Sequence, residues 1–195
     1  MSVLASCYQP EVEADYVPLE GGAGWPSEWF ASETSTDESD EADAETQGCP
    51  HAGESPLVQL SFTVRTSAVG GQFAPRNVGA IWIEDGEGVF VRTLERWGIM
   101  RAKWLLRFNE ASEGDVTDAI TGATLPAHET HVVDWDLRDL SGCEVANGEY
   151  DLVIELTDRS GAGESIAIPF AKDLVGGTLM PREHTNFHDM VLVLE

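Results

Sequence analysis

Short runs of alternating apolar and polar residues recur along the chain from Leu57 to the C-terminus. Positions 58, 60, 62 and 64 are apolar, and the positions between them are polar. A period of two places one set of side chains on each face of an extended strand, so this run predicts a half-buried β-strand over Leu57–Thr66. Similar runs follow at residues 79–84, 89–94, 130–136, 150–156, 166–170 and 190–194.

Glycine-containing turns separate several of these runs. EDGEG at residues 84–88 and DRSGAGE at residues 158–164 each lie between two predicted strands, and both favour hairpins. About seven short strands joined by turns are typical of a β-sandwich. We therefore predict that residues 55–195 form an all-β domain, an immunoglobulin-like antiparallel β-sandwich.

One stretch, Arg96–Ser112, breaks the period of two. Its pattern predicts a short helix with Trp104, Leu105 and Phe108 on one face. The segment without strand character continues to about Pro126. An insertion of this length inside a compact sandwich more often serves function than not.

Residues 1–54 differ from the rest of the chain in composition. They contain 13 of the 35 acidic residues and none of the 11 basic residues. Between Glu33 and Gln47 there is no aromatic and no large aliphatic residue, so this segment buries too little apolar surface to offset its ordering entropy. We expect residues 1–54 to be a disordered acidic tether. Trp25, Trp29 and Phe30 are its bulky apolar cluster, either an incidental patch or a short docking segment.

The net charge of −24 disfavours two classes of partner. A polyanion is repelled by nucleic acid and by anionic lipid, so we expect no nucleic-acid partner. No apolar run is long enough to span a membrane as a helix. Leu4-Ala5-Ser6-Cys7 resembles a bacterial lipobox, which implies lipidation of Cys7 and membrane contact only through that anchor, unless the match is accidental. Cys49 and Cys143 then either pair as a disulfide or stay free thiols.

The segment Asp118-Ala119-Ile120-Thr121-Gly122-Ala123-Thr124 carries the strongest functional signal. It resembles the flavinylation motif Asp-x-x-Ser/Thr-Gly-Ala-Thr of extracytoplasmic bacterial redox proteins. This resemblance implies that a separate flavin transferase joins FMN to Thr124 as a phosphoester, with Asp118 holding the metal or orienting the acceptor. The alternative is an ordinary loop in which Thr121 and Thr124 bond to nearby backbone.

Two wider resemblances surround this motif. Trp135-Asp136, Gly142, Asn147-Gly148 and Tyr150 are similar to the immunoglobulin-like domain of flagellar hook-capping proteins, a signature of fold rather than function. The span from Gln72 onward, with PRNVGAIW, TLERW and the TGAT motif, resembles a family of predicted periplasmic bacterial domains, the domain of unknown function family twenty-two seventy-one. That family implies an extracytoplasmic location in the bacterial cell envelope, with flavin transferases and PepSY-type membrane redox proteins as partners.

Several side chains near the motif are candidate flavin contacts. Trp97 and Trp104 are candidates for stacking, although packing in the core or on a helix explains them equally well. His128 and His131 are candidates for proton exchange, but their spacing in a strand places them on opposite faces. The basic residues Arg92, Arg96, Arg101, Lys103 and Arg107 favour a nearby phosphate or reduced flavin, or they balance the domain's own carboxylates. His184 and His188 are a weak candidate metal pair.

These observations lead to one functional hypothesis and its alternatives. We expect an extracytoplasmic electron-transfer protein that carries covalent FMN on Thr124 and is not itself an enzyme. The alternative is a cofactor-free binding or structural domain of the bacterial cell envelope. A flavin enzyme acting on a small substrate is a third class, for which no substrate pocket is recognisable in the sequence.

Overall fold

The structure is a computed structural model that describes residues 49–68, 70–114, 120–172 and 176–195. The side chains of residues 99 and 120–122 are not part of this description. Cys7, the aromatic residues of the predicted tether, Asp118 and Ala119 lie outside the described residues.

The described chain is almost entirely β, as the period-two runs predict. Nine strands follow in order: β1 Leu60–Thr66, β2 Val78–Asp85, β3 Phe90–Trp97, β4 Ile120–Gly122, β5 Thr130–Trp135, β6 Glu149–Thr157, β7 Glu164–Ala171, β8 Gly177–Leu179 and β9 Phe187–Leu194. They form one sheet of order β5-β1-β9-β8 and a second of order β4-β3-β2-β6-β7. All pairings are antiparallel except β3 with β4.

The apolar side chains of the alternating runs meet between the two sheets. Phe62 of β1, Ile81 of β2 and Leu152 of β6 are fully buried there, together with Trp135 of β5 and Leu192 of β9. Burial of this one face is the main stabilising term for such a sandwich, since hydrophobic stabilisation scales with the apolar area removed from water. The predicted all-β sandwich is confirmed.

A tyrosine corner supports the immunoglobulin-like description. Tyr150 lies at the start of β6, and its hydroxyl donates a hydrogen bond of 2.7 Å to the carbonyl oxygen of Ala146. Immunoglobulin-like sandwiches use a tyrosine at the equivalent corner in the same way. The ring of Tyr150 also stacks on Phe170, with 5.9 Å between the centroids.

The predicted helix over Arg96–Ser112 is wrong in its extent. Arg96 and Trp97 are the end of β3, and a 3₁₀-helix (Ile99–Trp104) and a short α-helix, α1 (Leu106–Ala111), follow. Two backbone features interrupt the helical pattern. Gly98 has φ +95°, in the left-handed region, and Leu105 has ψ +79°, so neither continues a helix.

The insertion covers the outer face of the larger sheet. Leu105 and Phe108 are fully buried against Val78, Trp82 and Val153, which form a second apolar cluster on that face. Trp82 and Phe108 meet edge to face, with 5.4 Å between the ring centroids. Strand β2 is therefore buried on both faces, which explains why every residue from Val78 to Glu84 is buried.

The residues just before β1 are fastened to the sandwich. Cys49 and Cys143, suggested as a pair by the sequence, form a disulfide. The amide of Gly53 donates to Glu144 Oε2 over 2.7 Å, and the carboxamide of Asn147 donates to the carbonyl oxygen of Glu54. Lys172, fully buried, forms an ion pair with Glu144 over 3.0 Å.

We predict that this disulfide contributes strongly to stability, because it closes a loop with a sequence separation of 94 residues. The chain-entropy account gives about 4–5 kcal/mol for a loop of this size. Urea unfolding with and without reductant should show a decrease approaching that value. A Cys49→Ser/Cys143→Ser variant, which has no bond to reduce, is the control and should not respond. Equal unfolding free energies for oxidised and reduced wild type would contradict the prediction.

Candidate functional site

The described residues of the Asp118–Thr124 motif begin at Ile120 and lie at the edge of the larger sheet. Its residues Ile120–Gly122 form β4, which pairs in parallel with the last three residues of β3: Ile120 with Glu95, Thr121 with Arg96 and Gly122 with Trp97. Ala123 follows and is exposed, and Thr124 is partly exposed. The sequence predicted no strand here, because three residues are too few for a period to be recognised.

The chain after Thr124 is held by Asn77, which is fully buried. The backbone amide of Asn77 donates to the carbonyl oxygen of Leu125 over 3.2 Å. Its side-chain amide nitrogen lies 3.2 Å from the carbonyl oxygens of both Pro75 and Ala127. Its side-chain oxygen accepts the indole N–H of Trp97 at 2.8 Å. One buried carboxamide thus joins β3 to the segment before β2 and to the chain after Thr124.

Of the two roles that the sequence allows for Trp97, flavin stacking and core packing, the structure shows core packing. Its ring is 1% exposed and stacks on His131, with 4.1 Å between the centroids and 22° between the planes. Gly79 pairs with Trp97 across β2 and β3, and any Cβ at Gly79 would overlap the ring. A bound group therefore has no access to either face of Trp97 in this arrangement. Trp104 is only partly buried and lies beneath the ammonium of Lys103, 5.1 Å from the ring centroid.

His128 belongs to the segment that follows Thr124, and His131 lies on β5, the next strand. His131 is buried on β5, and its Nδ1 is 3.1 Å from Glu95 Oε2. His128 precedes that strand, and its Nδ1 is 3.1 Å from the hydroxyl of Thr66. Within the described part of the chain, the Nε2 atoms of both rings are buried without a hydrogen-bond partner. Each ring therefore buries one nitrogen atom whose hydrogen-bonding capacity is unused.

Burial is the largest influence on His128. It lowers the pKa of His128 below the ordinary value, and the charge of His131 acts in the same direction, whereas the carboxylate of Asp158 opposes both. Neutral imidazole is therefore the favoured form of His128 near neutral pH.

The five basic residues from Arg92 to Arg107, which lie in β3 and in the insertion, have different surroundings. Arg92 lies 3.3 Å from Asp136 Oδ1, and Arg107 lies 3.1 Å from Glu84 Oε2. The guanidinium of Arg101 lies 3.6 Å from the centroid of the Phe73 ring. Arg96 follows the register of β3 beside Thr121. Arg92 and Arg107 therefore balance carboxylates of the domain itself, which is one of the two roles predicted for these basic residues.

A buried carboxylate that the sequence pattern did not reveal organises the insertion. Glu155 is 2% exposed on the outer face of β6, and its Oε2 accepts the amide of Phe108 at 2.9 Å. Burial raises the pKa of Glu155, while the backbone amides of Leu106, Arg107 and Phe108 and the charge of Arg107 lower it. The carboxylate of Glu155 thus accepts hydrogen bonds from backbone amides in the first turn of α1. Alternation along β6 places Glu155 on the outward face, and only the tertiary packing of the insertion buries it.

The C-terminal histidines do not converge. His184 Nδ1 lies 3.5 Å from Glu164, and His188 Nδ1 lies 2.6 Å from Glu183. Among the described residues, no group of three or more histidine, cysteine, aspartate or glutamate side chains is placed to hold a metal ion.

We predict that Asn77→Ala strongly destabilises the domain, because it leaves the buried indole N–H of Trp97 without its acceptor and the Ala127 carbonyl without its donor. Unsatisfied buried polar groups cost about 1–3 kcal/mol each. Urea unfolding should therefore show a loss of about 2–5 kcal/mol. Asn109→Ala, which removes one partly buried bond to Ala102, is the matched control and should lose at most about 1.5 kcal/mol. Similar losses for both variants would contradict this role for Asn77.

A second prediction concerns pH. Because folding lowers the pKa of His128, the unfolded chain binds a proton there at higher pH than the folded chain does. The stability that neutral His128 contributes is present above its unfolded pKa of about 6.5 and is lost as the pH falls towards the folded-state value. Between about pH 7.5 and pH 5.5, the unfolding free energy of wild type should fall more than that of His128→Gln. If the unfolding free energies of wild type and His128→Gln change in parallel with pH, this prediction is contradicted.

Comparison with known proteins gives one family. The model of a family described as predicted periplasmic protein (DUF2271) matches residues 58–174, which include β1 to β7, Asn77, Trp97 and Thr124. No curated protein and no solved structure matches the chain. None of the helices in the described residues has the length and apolar content that crossing a membrane requires. The family description agrees with the extracytoplasmic location expected from the sequence. Since the match extends over more than half of the chain, the protein belongs to the DUF2271 family of predicted periplasmic proteins.

Proposed function

We propose that Thr124 is the attachment point of a covalent FMN and that the protein is an extracytoplasmic electron carrier. The observation that carries this proposal is the position of Thr124 within a motif of flavinylation type. The residues before Thr124 form an edge strand, those after it are fastened by Asn77, and Thr124 itself is partly exposed between them. A modifying enzyme needs such an acceptor, which is accessible to it but held by a rigid domain.

The side chains around Thr124 fit this use. Ala123 is exposed and Gly122 has no side chain, so neither obstructs the approach of a transferase active site. Within the described residues, the Thr124 hydroxyl has no hydrogen-bond partner that would have to be broken first. The hydroxyl is therefore available as an acceptor without disruption of the domain.

The attachment would be a phosphoryl transfer. The Thr124 oxygen forms a bond to the phosphorus of the FMN half of FAD, the phosphoanhydride bond breaks, AMP leaves, and the hydroxyl proton is released. A threonine hydroxyl is a weak nucleophile at neutral pH, so the activating base or divalent metal belongs to the flavin transferase. Asp118 would help to orient the acceptor or hold that metal. The protein is thus a substrate of the transferase rather than an enzyme.

A bound flavin supplies reversible electron transfer. The protein's own contribution is to hold the attachment point on a rigid sheet edge while a PepSY-type or other membrane redox protein exchanges electrons with the carrier. The family's periplasmic description is consistent with this place of action.

We predict that intact-protein mass spectrometry after co-expression with a flavin transferase shows a gain of one FMN minus water. Thr124→Ala should stay unmodified, whereas Thr124→Ser, which keeps a hydroxyl, should accept the flavin. Thr130→Ala, an exposed threonine at the start of β5, is the matched control and should be modified as wild type is.

Two results would overturn the proposal. An unmodified wild type in the presence of an active transferase would favour a cofactor-free binding or structural domain of the cell envelope. Full modification of Thr124→Ala would place the flavin on another residue.

A further inference from the structure

A fully buried lysine lies beside the connection between β5 and β6. Lys172, directly after β7, is 0% exposed. Its Nζ lies 3.0 Å from Glu144 Oε1 and 3.5 Å from Asn147 Oδ1. Lysine is almost never fully buried, because removing an ammonium from water costs free energy even when the charge is paired. The buried amine is thus in contact with a carboxylate and with a carboxamide, and an ion pair alone needs only the first.

The chain just before β1 holds both partners of this amine. The amide of Gly53 donates to Glu144 Oε2 over 2.7 Å. The side-chain nitrogen of Asn147 donates to the carbonyl oxygen of Glu54 over 3.1 Å. The carboxylate and the carboxamide are therefore each fixed at one atom, which leaves Glu144 Oε1 and Asn147 Oδ1 for the amine.

The backbone of Lys172 is fixed as well. Its amide donates to the carbonyl oxygen of Gly148, the residue after Asn147, over 2.9 Å. Its carbonyl oxygen accepts the hydroxyl of Ser55 at 3.0 Å. The amine and the carboxamide are thus kept side by side by backbone hydrogen bonds. Such fixed proximity accelerates a reaction between two groups that react slowly when free in solution.

An amine beside a carboxamide can form a new amide bond once its extra proton has an acceptor. A protonated lysine is not a nucleophile, and a neighbouring base or a changed environment is needed to activate it. Glu144 is such a base, since its carboxylate contacts Nζ directly. Hydrogen bonds from the amide of Gly53 and from Lys172 lower the pKa of Glu144, so the resting pair is an ammonium and a carboxylate. The neutral amine then forms by proton transfer within the pair, and we expect a slow reaction that follows folding.

We propose that Lys172 and Asn147 become joined by an isopeptide bond, with Glu144 as the proton carrier. The neutral Nζ moves from the carbonyl oxygen of Asn147 to its Cγ and forms a bond there, and the Cγ–Nδ2 bond breaks. Of the protons on the original ammonium, one stays on the new amide nitrogen. The others pass by way of Glu144 to Nδ2, which leaves as ammonium. No oxidant, reductant or further reactant is consumed.

The surroundings suit both the product and the leaving group. A neutral amide in place of the ammonium removes the cost of a buried charge, and its N–H can still donate to Glu144. Asn147 is exposed, so the released ammonium has a path to solvent. The bond would link two residues with a sequence separation of 25 and would enclose the hairpin of β6 and β7. This inference does not rest on the proposed flavin attachment at Thr124.

The experiment uses the full wild-type chain, expressed without a flavin transferase and incubated at neutral pH until its mass is constant. Intact-protein mass spectrometry should show the loss of one ammonia relative to the disulfide-bonded sequence. After reduction and digestion with trypsin, residues 139–159 should be joined to residues 160–182, with no cleavage after Lys172. An unchanged mass, or complete cleavage after Lys172, would overturn the inference.

The peptide map also separates this bond from a second reaction that releases ammonia. Asn147 precedes Gly148, and the backbone nitrogen of Gly148 can attack the same Cγ to close a succinimide. A succinimide would leave the loss on residues 139–159 as an unlinked peptide, with normal cleavage after Lys172. That result would reject the isopeptide bond.

Variants then test each participant. Lys172→Arg and Asn147→Ala should keep the full sequence mass, and loss of ammonia from either would contradict the proposal. Glu144→Gln keeps the size of the side chain without the proton acceptor and should slow the reaction by about tenfold or more. A wild-type rate in this variant would reject Glu144 as the proton carrier. Lys103→Arg, which changes the chain's only other lysine, is the matched control and should cross-link as wild type does.

Circular dichroism of each variant establishes that it is folded. If a variant fails to fold, the peptide map of the wild-type chain still decides the proposal. Because this map is obtained without a flavin transferase, its result is also independent of whether Thr124 accepts FMN.

Discussion

The buried carboxamide of Asn77 is the interaction on which the local architecture of the candidate site depends. It accepts the indole N–H of Trp97 and donates to the carbonyl oxygen of Pro75, before β2, and to that of Ala127, after Thr124. Trp97 in turn stacks on the ring of His131 and occupies the space that a Cβ at Gly79 would need. Asn77, Trp97 and His131 are each buried and each contacts the next. The segment around Thr124 is therefore positioned by the core of the domain rather than by its own sequence.

The insertion gives this edge of the larger sheet a second support. Leu105 and Phe108 cover the outer face of β2, and the buried carboxylate of Glu155 receives the first backbone amides of α1. A sheet buried on both faces resists bending, since movement of one layer disrupts close packing in the other. The rest of the sandwich, including the disulfide between Cys49 and Cys143, stabilises the platform that carries Thr124.

Local pattern predicted the strands well because their period of two reflects one buried face. The same reasoning failed where tertiary contacts determine the extent of an element or the burial of a side chain. The pattern of Arg96–Ser112 favoured a single helix, but Gly98 and Leu105 leave helical geometry, and Arg96 and Trp97 extend β3. Glu155 alternates as a surface residue and is buried by the insertion. In the sequence, Asn77 is one residue of the PRNVGAIW segment, and its role appears only once the fold brings β3, the segment before β2 and the chain after Thr124 together. Periodicity does not single out Thr124; only the resemblance of residues 118–124 to a flavinylation motif does.

The central claim is that the FMN phosphate is esterified to Thr124. Its most direct test is tandem mass spectrometry of peptides from the wild-type protein purified after co-expression with a flavin transferase. The account predicts one flavin-bearing peptide, with fragment ions that assign the phosphoester to Thr124 and leave Thr121 unmodified. Flavin on Thr121 or on any other residue, or no flavin-bearing peptide at all, would contradict it.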